Sequence, residues 1–153
     1  MSTRLLDLLE PKAIKLQYRA RDRIDVITQL GKLLYDCGYV RESFVEAALD
    51  RERELPTGLP LDGQYNAAIP HTDVQHVIKP ALALATLSEP VIFQNMVQPE
   101  QDVPVQLVIL MALDQPKSQV EMLQEIASVL QNPETIGKLM NATTIEGIQR
   151  ALE

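Results

Sequence analysis

Apolar residues recur at Ile24, Ile27, Leu30, Leu33, Leu34 and Cys37. Steps of three and four put them on one side of an α-helix, predicted to open near Arg21 and Asp22. Gly38 follows at once and suits the turn that ends a helix. A second helical pattern runs from about Glu42 to Glu54, with Phe44, Val45, Ala48 and Leu49 as its buried side. Ahead of both, Lys15 to Tyr18 reads as a first strand. From Leu55 to Asn66 the breakers Pro56, Gly58, Pro60 and Gly63 predict a loop with nothing long and regular in it. Ala67 to Ile69 is a short apolar segment, read as a strand and stopped by Pro70.

The period then changes. Ala81 to Leu87 and Val105 to Leu113 are near-continuous apolar runs, the second rich in Val and Ile. Runs of that length predict strands covered on both faces. Val91 to Phe93 reads as a short strand between them, and Gln94 to Asp102 as a polar connection holding Pro99. Helical spacing returns after that. Ser118, followed three residues on by Glu121, matches a capping box, and Val120, Leu123, Ile126, Ala127 and Leu130 form one stripe behind it. Asn132-Pro133 places a cap before a proline at the first helical position. Thr143-Thr144-Ile145-Glu146 is a second capping box, opening a helix with Ile145, Ile148 and Leu152 inside. Helices early and late, with strands between, predict an α/β fold: a three-layer sandwich whose mixed central β-sheet is flanked by helices on both faces.

Composition narrows the class. A length of 153 residues, with no repeat or low-complexity tract, predicts one domain spanning 1–153. Apolar residues at 46% supply a core, and charged residues at 23% an ordinary soluble surface. The net charge of -7 argues against nucleic acid as the main partner, because neutralising that backbone needs a basic face. It leaves room for one Arg or Lys meeting one phosphate. The single cysteine, Cys37, excludes an intrachain disulfide and a multi-cysteine zinc site, and a reducing cytoplasm is the expected setting. Cys37 itself reads as a buried helix residue. The first ten residues carry Arg4, Asp7 and Glu10 in a Leu-rich stretch, without the long apolar run of a signal peptide. Val105 to Leu113 is interrupted by Gln106 and far too short to span a bilayer. The expectation is a soluble chain with no direct membrane insertion, its partner free to be membrane-bound.

Candidate chemistry centres on two histidines, His71 and His76. His71 ends the run Asn66-Ala67-Ala68-Ile69-Pro70-His71, where rigid backbone delivers a side chain to a sheet edge. On these grounds alone a histidine at a strand end is more often incidental than functional. His71 and His76 lie five apart with Asp73 between them, a poor spacing for ligands on one helix face, so no metal is expected and His76 reads as solvent-facing. Asp73, or equally a backbone carbonyl, is positioned to orient the His71 ring. No Gly-rich phosphate loop is present, so nucleotide binding and any cofactor are not expected. Arg51 sits among Asp50, Glu52 and Glu54, and by spacing alone reads as a surface ion pair on the second helix.

A resemblance reweights these readings. Arg51-Glu52-Arg53-Glu54-Leu55-Pro56-Thr57-Gly58, followed by Ala67-Ala68-Ile69-Pro70-His71, resembles the signature of the fructose–mannitol class of enzyme IIA proteins of the bacterial sugar phosphotransferase system. In that class an Arg-Glu pair precedes Pro-Thr-Gly, and the segment ends in Ala-Ile-Pro-His. The order of helices and strands extends the likeness over essentially the whole chain. It implies phosphoryl transfer: His71 would accept a phosphoryl group from the carrier HPr, favoured at Nε2, and pass it to a cysteine of enzyme IIB. Sugar then enters through the membrane component, enzyme IIC, which this chain would meet only indirectly. An imidazole with an ordinary pKa of about 6.5 is largely neutral, and so nucleophilic, near pH 7. Transfer of this kind rests on positioning and on stabilising spread negative charge. The resemblance assigns that charge to Arg51, whose planar fork grips two oxygens at once, with Arg53 as the alternative. Thr57 and Gly58 are candidates to present a hydroxyl and backbone donors to the phosphoryl group, with simple turn chemistry as the competing reading.

One departure matters. Mannitol-type and nitrogen-type members carry a second histidine where this chain has Gln119, whereas galactitol-type members resemble it in having glutamine. Gln119 falls in the first turn of a helix, where an anion is favoured, and is a candidate orienting group. The resemblance therefore implies uptake of galactitol or a related polyol. The alternative is a stand-alone, nitrogen-type regulatory protein acting through its phosphorylation state. A catalytically retired scaffold is a third reading, against which an intact Arg51 and His71 argue. Leu59, Leu61 and Val74 are candidate apolar contacts around the site.

Overall fold

The computed structural model describes residues 3–153; the first two residues of the Leu-rich start lie outside them. A short helix, α1 (Thr3–Leu8), leads into strand β1 (Leu9–Tyr18). Helices α2 (Arg23–Asp36) and α3 (Phe44–Glu54) follow, then two very short strands, β2 (Gly58–Leu59) and β3 (Ala67–Ala68). A single 3-10 turn (Val74–His76) precedes the long strands β4 (Ala81–Gln94) and β5 (Asp102–Ala112). Helices α4 (Pro116–Leu130), α5 (Pro133–Asn141) and α6 (Ile145–Ala151) complete the chain. The sheet order is β1-β4-β5-β3-β2. β1 runs parallel to β4 and β3 parallel to β5, while the β4–β5 and β2–β3 pairs are antiparallel. The predicted mixed sheet between two helical layers is the architecture observed.

Alternation along the central strands builds the two cores. On β4, Ala81, Ala83 and Ala85 face α2 and α3, while Leu82 and Leu84 face the other helices. On β5, Val108, Leu110 and Ala112 join the first core, and Leu107, Ile109 and Met111 the second. Both faces are covered, which is why these strands read as unbroken apolar runs. The alanines leave room for Val26, Ile27, Leu30 and Leu34 of α2 and for Phe44 of α3. Leu5 of α1 and Met122, Ile126 and Leu130 of α4 fill the opposite side.

Several boundaries differ from the periodicity reading. The first strand starts at Leu9, not Lys15, because its parallel pairing with β4 already begins at Leu9 opposite Leu82. Ala81–Leu87 and Val91–Phe93 are one strand carrying a bulge: Thr86 pairs with Leu107, and Val91 with Val105. Exposed Pro90 lies within the bulge and has no N–H for the ladder. The amide of Gln106 donates to the Leu87 carbonyl across the gap. The loop 55–66 contains β2, which pairs with β3 and bridges Asn95 through Gly58. Helix α4 begins at Pro116, so Ser118 is inside it rather than its cap; proline fixes a helical φ there and gives up an N–H that the first turn does not use. The last cap is Thr144, which accepts from Gly147 N, and Glu146 pairs instead with Arg150 on the helix surface. Asn132 caps α5 as predicted. Ile24, Val120 and Ile145, expected inside, are exposed, while Val26 and Met122 take the inward positions. Cys37 sits half-buried at the C-cap of α2.

Candidate functional site

His71 lies just beyond β3, beside the end of the parallel strand β5 and the start of α4. Pockets of open α/β sheets form at such carboxyl ends of strands. The approach is rigid. Ile69 and Pro70 are buried, and Met111 N donates to the Pro70 carbonyl, extending the β3–β5 register past β3. The half-buried His71 ring bonds through Nδ1 to the Ile69 carbonyl at 2.9 Å. A carbonyl only accepts, so Nδ1 carries the hydrogen and Nε2 the free lone pair. Burial holds the imidazole below its ordinary pKa, and the nearby Arg51 charge acts in the same direction. The Ile69 carbonyl and Asp73 act the other way without overcoming it. The ring is therefore neutral and nucleophilic at neutral pH.

Arg51 is on the last turn of α3. It does not join the acidic run on its own helix; its Nη1 donates to Asp73 Oδ1 at 3.0 Å, bringing it to the segment that carries His71. Its Nε is buried and makes no hydrogen bond within the protein. Arg53 is the surface residue, paired with Asp50 on α3. Asp73 thus serves Arg51, and the carbonyl of Ile69 orients the ring.

Thr57 is turned away from any such acceptor. Its N–H and its hydroxyl both donate to Glu52, at 2.8 and 2.9 Å, so the donors expected to face a phosphoryl group are already engaged. Gly58 is needed for close packing: a Cβ there would sit 2.6 Å from the Gln94 carbonyl oxygen and 3.2 Å from Phe93 Cβ. Its own carbonyl accepts from Met96 N. Gln119 reaches the site through its amide, which donates to the carbonyl of Thr72, the residue after His71. Its backbone N–H is bonded to the Gln115 carbonyl and is not one of the free first-turn donors.

His76 turns to Ser43, with Nδ1 2.8 Å from the hydroxyl, and is half-buried rather than fully solvent-facing. Leu59 and Leu61 line a cleft of about 470 Å³ with Leu130 and Ile136, at the far end of α4 from Gln119. Only Val74 of the three proposed apolar contacts lies in the turn that follows His71. Among the described residues no helix is long and apolar enough to cross a membrane.

Glu52 is the site-adjacent residue that periodicity missed. It is 4% exposed and follows Phe44 and Ala48 in steps of four on the buried stripe of α3. A carboxylate on an apolar stripe was the available signal.

The chain belongs to the EIIA 2 family of the phosphoenolpyruvate-dependent sugar phosphotransferase system, whose model matches residues 7–153. It is thus a component of a phosphotransferase system that serves sugar transport. Among individual relatives, it is 33% identical over 119 residues to the galactitol-specific EIIA component of Escherichia coli K12, covering 78% of each chain. The crystal structure of Escherichia coli IIA mannitol superposes with a TM-score of 0.78 at 26% identity, covering 95% of this chain and 99% of that one. An Escherichia coli complex of enzyme IIA with phosphorylated enzyme IIB, both of the mannitol system, matches with a TM-score of 0.77 at 27% identity, over 94% of this chain and 96% of that chain.

Proposed function

We propose that the protein is a cytoplasmic phosphocarrier that accepts a phosphoryl group on Nε2 of His71 from HPr and passes it to a cysteine of an enzyme IIB. The observation that carries this reading is the bond from Nδ1 to the Ile69 carbonyl, which leaves Nε2 as the nucleophile, with the Arg51 guanidinium held nearby by Asp73. In the first step the Nε2 lone pair attacks phosphorus, and the donor's P–N bond breaks. In the second, a thiolate of enzyme IIB attacks the same phosphorus, and the pair returns to Nε2. No proton moves on the ring, because Nδ1 keeps its hydrogen on Ile69 throughout. Arg51 balances the phosphoryl charge with the N–H groups that Asp73 does not occupy. Gln119 acts through the Thr72 carbonyl, holding the segment after His71 against α4. Likeness to the galactitol-specific component supports galactitol or a related polyol as the sugar, and the matched IIA–IIB complex supports enzyme IIB as the partner.

The test is intact mass after incubation with enzyme I, HPr and phosphoenolpyruvate. One acid-labile phosphoryl group is expected on wild type and on His76→Ala, and none on His71→Ala. Wild type left unmodified by an HPr that charges other IIA proteins would overturn the reading.

A further inference from the structure

Glu52 is a buried carboxyl whose two oxygens both face one residue. Oε2 accepts from Thr57 N and Oε1 from the Thr57 hydroxyl. As a contribution to stability this is a poor use of a core position, since neutral donors compensate a buried carboxylate less well than an apolar side chain would fill the space. What the pair does supply is geometry. Thr57 stands immediately before β2, and its carbonyl accepts from Ile69 N at 3.4 Å. The Ile69 carbonyl in turn accepts from His71 Nδ1 at 2.9 Å. The chain of contacts therefore runs Glu52, Thr57, Ile69, His71. Its first member is the neighbour of Arg51 on the last turns of α3. The arginine and the histidine sit on separate elements, α3 and the segment after β3. Besides the Arg51–Asp73 ion pair, the Glu52–Thr57 clamp ties those elements together behind the site.

We propose that Glu52 is a positioning residue for phosphoryl transfer, clamping Thr57 so that the Ile69 carbonyl selects the Nδ1–H tautomer of His71 and aligns its ring with Arg51. The inference rests on the phosphocarrier reading for its kinetic part only. The clamp has no contact with the phosphoryl group, so its loss acts on the ring's tautomer and on the transfer rate and leaves partner docking unchanged.

The experiment compares wild type, Thr57→Val, Thr57→Ser and Glu52→Gln, with nitrogen-15 NMR of the His71 ring and the rate of phosphorylation by phospho-HPr. Thr57→Val removes the hydroxyl and keeps the shape. It is expected to raise the Nε2–H tautomer and to slow transfer at saturating phospho-HPr by about tenfold, as misalignment of a reacting group does, with KM unchanged. Thr57→Ser keeps the hydroxyl and is expected to restore both to within about twofold of wild type. Should Thr57→Val not fold, Glu52→Gln, which replaces one acceptor by a donor, carries the same expectation. A wild-type tautomer ratio in a folded Thr57→Val or Glu52→Gln overturns the proposal, and so does slowed transfer with the ratio unchanged. If wild type takes no phosphoryl group from HPr, the phosphocarrier reading fails while the tautomer ratio still decides the clamp.

Discussion

Replacing Glu52 by glutamine removes a titrating group from the core and changes how stability depends on pH. Burial drives the Glu52 carboxyl from its ordinary 4.5 up to about 7, against the lowering effect of the two Thr57 bonds. The folded protein therefore holds this proton more tightly than the unfolded chain does. The stabilisation is fully present below 4.5 and is lost as pH rises through 7. The rise is worth about 3 kcal/mol in total, most of it falling between pH 5 and pH 8. At 4% exposure solvent screening takes little from that figure. His71, held below its ordinary value, works in the opposite sense: its contribution is present above 6.5 and lost as pH falls. The comparison with Glu52→Gln, which retains His71 and every other titrating group, isolates the glutamate. Urea unfolding of both proteins at pH 5 and pH 8 makes the measurement. Wild type is expected to lose about 2 to 3 kcal/mol relative to the variant between the two values. Parallel pH profiles would refute the reasoning, since the carboxyl would then titrate alike in folded and unfolded chains.

Four further outcomes are expected. Gly58→Ala forces a Cβ against the Gln94 carbonyl, backbone against backbone, and should cost about 1 to 3 kcal/mol in urea unfolding; an unchanged midpoint would mean that β2 parts freely from that carbonyl. Arg51→Lys keeps the charge but loses the fork, and should slow phosphorylation of His71 by about tenfold or more. Arg53→Ala should leave the rate alone, because Arg53 is committed to Asp50 on the surface; equal effects of the two would remove Arg51 from its role. Finally, an NMR titration of the His71 ring should give a midpoint below 6.5, with burial as the main cause, while a midpoint above it would mean that the Ile69 carbonyl and Asp73 outweigh desolvation.

The layers, the helical stripes of α2 and the apolar runs of β4 and β5 were legible along the chain. Each depends on residues that are neighbours in sequence, and burial on one or two faces leaves a period of its own. Errors clustered where a distant partner decides. β2 exists through its pairing with β3, and the bulge that keeps β4 one strand is defined by its register on β5. On α4 the spacing of Val120 with Leu123 and Ile126 suggests one stripe, whereas the buried line in the fold is Met122, Ile126 and Leu130, with Val120 exposed.

The site divides in the same way. The sequence singles out His71 and Arg51 only through a motif resemblance, which a run of local residues can carry. Tertiary structure decided what those residues do to one another. Arg51 meets Asp73, 22 positions away, and Gln119 meets Thr72, 47 positions away. Such encounters depend on sheet order and crossover, which no period in the chain encodes. Thr57 is a nearer case: Glu52 lies five residues before it, and the turn that ends α3 folds its N–H and hydroxyl back onto that carboxyl. Local hydrophobic spacing specifies the elements, and the pairing of strands far apart in the chain specifies which polar atoms find one another.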